Sequence, residues 1–350
     1  VEEILPRVNY VDTQRNGYSD IAWTTFHHPL GLLKAMWFLG KQRDRKVLIT
    51  VLRALHIVRI SHALGVRHLH AHFAVSRDAV TIAALISGVS FSFTAHAQDI
   101  YVSNRFLRQS AIGAKFIVTV CEFNRRLLAN YLSAGNVDKI HVVHPFLDLD
   151  LFEPDAHPRS GEPGHDTFHI ATVCRLVPKK GVEVLLEALH LLAEKGIAFQ
   201  ATIVGDGPDY ARLQELLDAL ELTGKVSLPG SRNSAAVRSL MCDIDLFVLA
   251  SRRTPDGDSD ATPTVLGEAM AMGLPVVSTR VSGIPEIVPE EAGILVEPGN
   301  AYALADAMSN LIGLPPHQLA SMGRRGRAFV LAHWNGNIDV DRLIDLFKYE

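Results

Sequence analysis

Residues 168–208 read FHIATVCRLVPKKGVEVLLEALHLLAEKGIAFQATIVGDGP. The first seven are a short apolar run of strand length. Residues 182–194 then carry apolar side chains at spacings of three and four, the stripe of an amphipathic helix, and Gln200–Val204 returns to a strand-like run. The alternation continues downstream. Tyr210–Leu222 is helical, Lys225–Leu228 strand, Ser234–Met241 helical, Leu246–Ala250 strand, Pro263–Met272 helical and Pro275–Ser278 strand. Repeated βα units with short connections predict a parallel sheet with helices on both faces. Ligands of such sheets bind at the carboxyl ends of the strands.

Upstream, residues 66–147 repeat the pattern on a shorter scale. His68–Ala71, Phe91–Ala95, Phe116–Val120 and Ile140–Val143 read as strands, and Val80–Ile86 as a helix. Between the halves, residues 151–167 are rich in Pro, Gly and Asp, the composition of a linker. The expected architecture is α/β, two doubly wound Rossmann-like domains facing a cleft, with an amino domain over 1–150 and a second over 168–335. A chain of 350 residues fits two domains. Its 48% hydrophobic and 21% charged residues exclude a disordered or fibrous protein.

Charge divides unevenly. Residues 1–150 hold 17 Lys/Arg against 11 Asp/Glu, net +6, and residues 151–350 hold 17 against 27, net −10. The total of −4 argues against nucleic acid as a partner. Cys121, Cys174 and Cys242 are too far apart for a CxxC metal site and odd in number for a disulfide framework, which predicts a reducing, cytoplasmic compartment. No apolar run is long enough to span a bilayer, and the opening Val-Glu-Glu-Ile does not read as a signal peptide.

Two stretches carry chemistry. In residues 174–181, CRLVPKKG, Arg175 stands where a strand ends and Lys180 just before a helix begins. A strand end leading into a helix N-terminus suits an anion, through unsatisfied N–H groups and the helix dipole. Two cations there would grip a diphosphate, but a basic surface loop has the same composition. Residues 251–279 read SRRTPDGDSDATPTVLGEAMAMGLPVVST. Thr262 or Ala261 is expected to cap a helix with Pro263 in its first turn. Asp260 then lies just outside the N-terminus, Glu268 falls on the second turn, and the N–H groups of Thr264 and Val265 point back toward Asp260. An acidic, solvated loop before an ordinary helix is the alternative.

Asp256, Asp258 and Asp260 form a D-x-D-x-D series, but Ala261 and Gly267 stand where a calcium loop needs Gly and Glu. A divalent ion under a diphosphate remains an alternative. His70 and His72 share one side of a strand, either as a metal pair or as structural, cleft-lining residues. Cys121 reads as a packed thiol.

Together these motifs resemble family 4 of the retaining glycosyltransferases, which have the GT-B fold. CRLVPKKGVEVLLEA, VGDGP, TPTVLGEAMAMGLPVVST, VSGIPEIV and AGILVEPG carry the resemblance in order. HLHAHFA and FSFTAHAQDIY resemble the exopolysaccharide, colanic-acid-type branch. The likeness runs over about residues 65–345. It implies a hexosyltransferase that moves a sugar from a UDP- or GDP-linked donor to a polysaccharide or lipid-linked oligosaccharide, with retention and without metal or cofactor. By the same resemblance Arg175 and Lys180 hold the donor's diphosphate, and the N–H groups of Thr264 and Val265 meet its phosphates. Asp260 touches the transferred sugar, Glu268 binds the ribose, Arg232 in PGSRN flanks the base, and His96 faces the donor sugar. It also implies that the last helix, over 336–350, packs back on the amino domain.

Three features depart from the family. Residues 1–64 lack its Gly-containing first loop, so the chain reads as starting after the first βαβ unit. Asp260 stands in place of a Glu. Gly267 stands inside a helix, at a cost of about 1 kcal/mol relative to Ala. A silent nucleotide-sugar-binding module or a GT-B sugar-nucleotide epimerase are the rival readings. Residues 31–60 carry seven Lys/Arg and one acid among many apolar residues. This segment fits either an anionic membrane surface, with the protein peripheral to it, or two core-packed helices with solvated basic faces.

Overall fold

The computed structural model describes residues 13–40, 47–154, 167–334 and 336–348. The opening Val-Glu-Glu-Ile and most of the expected linker lie outside them. The described chain falls into two compact units. An amino unit runs to Thr119 and takes in Arg125–Val142, and a carboxy unit is formed by Val120–Asn124 and Val143–Phe347.

The amino unit opens with three helices, α1 (Thr13–His27), α2 (Pro29–Gly40) and α3 (Val47–Ala63). Strand β1 (His68–His72), helix α4 (Phe73–Ser87), β2 (Ser90–Ala95), α5 (Ala97–Tyr101), α6 (Leu107–Gly113), β3 (Ile117–Thr119), α7 (Glu122–Ala129) and β4 (Ile140–Val142) follow. The four strands pair in sequence order, all parallel. Buried Asp20 fastens α1 to α3: its carboxylate meets His56 Nδ1 at 2.8 Å and accepts from Arg59 at 2.9 Å.

The HLHAH sequence of β1 puts alternate histidines on one face. The register sets His68 opposite Ser90 and His70 opposite Ser92. His68 bridges the hydroxyls of Ser90 and Ser92 at 2.8 and 2.7 Å, and His70 bridges those of Ser92 and Thr94 at 2.6 and 2.9 Å. Both ring nitrogens of His70 therefore serve an imidazole–hydroxyl ladder between two strands. This is the structural alternative to the metal pair.

Burial, with His72 and His68 beside it, lowers the His70 pKa to about 4. Between there and its ordinary value of about 6.5 the unfolded chain takes up a proton that the folded ring refuses. Stability is thus complete above pH ~6.5 and falls as the pH drops toward ~4. The expected loss is roughly 1–2 kcal/mol once the water reaching this half-buried ring is allowed for. His96 and His141, also lowered mainly by burial, act in the same direction. Thermal melts across that window should show the fall, and His70→Gln should flatten part of it.

The carboxy unit runs β5 (Phe168–Val173), α8 (Val182–Glu194), β6 (Phe199–Val204), α9 (Tyr210–Ala219), β7 (Val226–Gly230), α10 (Ser234–Cys242), β8 (Leu246–Val248), α11 (Thr264–Ala271), β9 (Val276–Thr279), α12 (Ile284–Ile287), β10 (Gly293–Val296), α13 (Ala301–Ile312), α14 (Pro316–His333) and α15 (Gly336–Lys348). All six strands are parallel, in the order β10-β9-β8-β5-β6-β7. Short buried strands and amphipathic helices produce this because each face of the sheet needs its own cover. Leu246 and Val248 of β8 join Leu186, Leu189, Leu304 and Met308 on one side. Phe247, between them, joins Leu266, Met270 and Trp334 on the other.

Each strand and helix read from residues 168–278 is present, within three residues at either end. The start of α11 differs from expectation. Neither Ala261 nor Thr262 caps it; Pro263 does, with φ −65° and ψ 114°. The ring fixes φ at a value a helix accepts, but ψ is extended, so helical geometry begins one residue later, at Thr264.

Candidate functional site

The sheet order brings the two candidate stretches together. From β5 the chain builds outward through β6 and β7, then crosses to the other side of β5 to lay down β8, β9 and β10. The strand order reverses between β5 and β8. Loops leaving the carboxyl ends of two such strands diverge and open a crevice. The loop after β5 is 174–181 and the loop after β8 is 249–263, the two stretches singled out in the sequence.

The loops are stitched together by backbone. Arg252 N–H donates to the Lys179 carbonyl at 2.8 Å, and the Arg252 guanidinium to the Pro178 carbonyl at 3.0 Å. The same guanidinium pairs with Glu183. Gly181 closes the first loop at φ 61°, and a Cβ there would lie 2.0 Å from the Ala250 carbonyl oxygen. A side chain would therefore push the loops apart, and positive φ adds strain.

At this seam Lys180 Nζ donates to Asp260 Oδ2 at 2.7 Å. The Ser251 hydroxyl, fully buried, donates to the same oxygen at 2.7 Å. The side chains of Lys180 and Asp260 are only 15% and 10% exposed, so this ion pair is well shielded from solvent. Lys179 binds Asp258 at 3.1 Å and lies 3.9 Å from Asp260 Oδ1. Two aspartates of the D-x-D-x-D series thus each face a lysine. Burial pushes the Cys174 thiol up to about 12, with Asp260 adding to the rise and Lys180 opposing it. Cys174 is therefore a neutral neighbour of the pair.

The helix after Asp260 opens close to this pair in sequence. Thr264 and Val265 open α11, where the first N–H groups have no acceptor within the helix. Glu268 sits one turn on and half-buried, and burial raises its pKa against the pull of Arg238. Arg175 is exposed at the end of β5. Arg232 is exposed between β7 and α10, its guanidinium bonded to the Ser231 carbonyl at 3.2 Å. His96 belongs to the amino unit. It precedes α5, its N–H donates to Asp99 at 2.8 Å, and its ring stacks on Phe73 with centroids 4.6 Å apart. Burial is the main cause of its lowered pKa, so the ring is neutral near pH 7.

The structure thus joins Lys180 directly to Asp260 and sets Thr264, Val265 and Glu268 on the helix that follows. Ser251 and Lys179 escaped the sequence reading. A serine opening a polar loop carries no spacing signal, and Lys179 is merely the first of a Lys-Lys pair.

Comparison with known proteins gives these residues a context. Residues 167–313 match the family described as Glycosyl transferases group 1. The colanic acid biosynthesis glycosyltransferase WcaL of Escherichia coli K12 is 37% identical over 212 residues, 60% of this chain and 51% of WcaL. The amylovoran biosynthesis glycosyltransferase AmsK of Erwinia amylovora is 38% identical over 148 residues, 42% of this chain and 36% of AmsK. The chain therefore spans about half the length of WcaL and less of AmsK. Among solved structures, Anabaena HepE in complex with UDP and glucose superposes with a TM-score of 0.69 at 21% identity, covering 85% of this chain and 81% of HepE. The fold is GT-B.

Proposed function

We propose, from the premise that residues 167–313 are a glycosyl transferases group 1 domain on a GT-B fold, that the chain is a hexosyltransferase of exopolysaccharide or related glycan synthesis. It moves a sugar from a nucleotide-sugar donor to a glycan or lipid-linked acceptor, with retention at the anomeric carbon. The observation that carries this reading is the shielded Lys180–Asp260–Ser251 contact at the strand-order reversal, followed at once by the open N-terminus of α11. A crevice there offers two things together: positive charge for a diphosphate and a fixed carboxylate for a sugar.

The chemistry follows from charge. As the C1–O bond to the diphosphate breaks, negative charge grows on the leaving phosphate. Lys180, Arg175 and the N–H groups of Thr264 and Val265 stabilise it there, where preorganised dipoles act without reorganising. Positive charge grows on the sugar, beside Asp260. The acceptor hydroxyl adds to C1 on the face the phosphate leaves, and its proton passes to a phosphate oxygen. Asp260 acts by its field, and the neutral ring of His96 is assigned to the sugar hydroxyls. Glu268 takes the ribose and the 231–233 loop the base. A cytoplasmic donor pool sets the compartment, and no helix among the described residues is long and apolar enough to cross a membrane.

Thermal shift with UDP-glucose and GDP-mannose tests the donor half. A ligand at a hundred times its Kd stabilises by about 2.7 kcal/mol, so the matching base should raise the melting temperature clearly and the other should not. Sugar release or transfer should then follow from that donor alone. Absence of any shift with both nucleotides would remove the donor site, and binding with no turnover would leave only a nucleotide-sugar-binding module.

A further inference from the structure

Strand β1 ends at His72, and Phe73 opens α4 with φ 65°. A bulky L residue adopts that left-handed backbone only under strain, which its surroundings must impose. Asp99 imposes it. This residue is 3% exposed, and its carboxylate accepts the N–H of Ala74 with one oxygen and that of His96 with the other. The turns after β1 and β2 are thereby locked together, and because the two strands are parallel neighbours both turns lie at the carboxyl edge of the amino sheet. Arg77, 1% exposed, braces the arrangement by donating to the carbonyls of Asp99 and Ser103 at 3.3 and 3.1 Å. Phe73 gains little burial in return. It is 55% exposed, and since one face of its ring lies on His96, the other is left to solvent. A strained, half-exposed aromatic does not serve the core, and strain of this kind collects at ligand sites.

The side chains around the ring define the ligand. Residues 72–78 and 94–101 include Arg77, Asp78 and Asp99, and all three are turned inward, with Arg77 and Asp78 paired at 2.8 Å. What is exposed here is the Phe73 ring, His72 and Gln98. The His96 ring stacks on both Phe73 and His72, with centroids 4.6 and 6.1 Å apart. A flat apolar face rimmed by imidazole and amide edges suits a pyranose. The C–H groups of one sugar face pack on the aromatic ring, and the hydroxyls reach the rim. A nucleotide base would also stack, but it brings phosphates, and these two turns hold no Lys or Arg besides the buried Arg77.

We propose that the open face of Phe73 is a stacking platform for a neutral hexopyranose, the terminal sugar of a glycan acceptor. The acceptor role rests on the transfer reading; the sugar site itself does not. The test is saturation-transfer NMR on the full chain with the α and β methyl pyranosides of glucose, galactose and mannose as probes. At least one should take up saturation, strongest at the C–H groups of one ring face. Phe73→Ala and Phe73→Leu should each weaken its binding by about fivefold or more, and Phe73→Tyr should retain it, because an aromatic ring stacks where an aliphatic side chain only packs. Phe73→Gly should lose binding too yet unfold no lower than the wild type, since glycine accepts positive φ without strain. The proposal is overturned if no probe takes up saturation, or if Phe73→Leu binds like the wild type, which would make the ring a support for His96. It is also overturned if Phe73→Gly melts several degrees lower, or if UMP or GMP, rather than a sugar, is the probe whose saturation Phe73→Ala removes. Sugar binding without any nucleotide shift in the thermal assay would keep the platform and remove its acceptor role. A nucleotide shift with no sugar saturated would remove the platform alone.

Discussion

Lys180→Ala is expected to lower affinity for the matching nucleotide diphosphate, UDP or GDP, by about tenfold to a hundredfold, the equivalent of one charge-assisted hydrogen bond of roughly 1.5–3 kcal/mol. Turnover should fall further, because the charge that Lys180 meets grows as the glycosidic bond breaks. The variant has a second, separable effect. Without ligand Lys180 already holds Asp260 Oδ2, and the Asp260 side chain is only 10% exposed. Removing the lysine leaves that carboxylate with the Ser251 hydroxyl and Lys179 at 3.9 Å. A loss of about 1–3 kcal/mol in unfolding free energy should follow, as expected when one partner of a shielded pair is deleted. Adding Asp260→Asn should restore most of the stability, since the uncompensated charge disappears, but should not restore nucleotide affinity. Calorimetric titration with UDP and GDP and urea unfolding on the wild type and these two variants separate the two effects. Unchanged affinity in folded Lys180→Ala would sink the diphosphate assignment.

That experiment turns on a contact the sequence did not contain in readable form. Residues 174–181 and 251–279 were each legible as anion-site candidates, because a cation or carboxylate at a strand–helix junction has a local signature. Their meeting was not legible. Lys180 and Asp260 are 80 residues apart, and only the crossing of the chain from β7 to the far side of β5 makes their loops neighbours. The resemblance gave Lys180 to a diphosphate and Asp260 to a sugar. The structure adds that they bind each other, so a donor held as proposed would share or displace an existing ion pair. The strand and helix order over 168–278 was readable because short apolar runs and 3–4 spacing are strong local patterns. Residues 31–60 gave two readings for a physical reason. A helix apolar on every side has no stripe, so sequence cannot say which half is packed. Pro263 was misplaced by one position because its φ suits a helix and its ψ is invisible to sequence.

Gly267 is where sequence and structure predict opposite signs. By propensity alone, Gly267→Ala in α11 should stabilise the protein by about 1 kcal/mol. In the folded chain a Cβ on Gly267 would lie 2.2 Å from the ring of Trp334, which is 1% exposed and closes the core between α11 and α14. The indole fills the space a side chain at 267 would need, so the small residue is half of a paired fit. Alanine must displace the ring or α11, and overpacking of this kind costs about 1–3 kcal/mol. Net of propensity, Gly267→Ala is expected to destabilise the carboxy unit, with a melting temperature lower by roughly 2–4 °C per kcal/mol. Trp334→Leu should itself be destabilising by about 3 kcal/mol, through the cavity it leaves. On that background Gly267→Ala should become neutral or favourable, giving a coupling of 1 kcal/mol or more in a double-mutant cycle. Glu268 is the next residue and Thr264 and Val265 open the same helix, so a displaced α11 should also weaken UDP or GDP binding, in step with the loss of stability. A Gly267→Ala protein more stable than the wild type would show that Trp334 does not occupy that space, and would return position 267 to ordinary helix propensity.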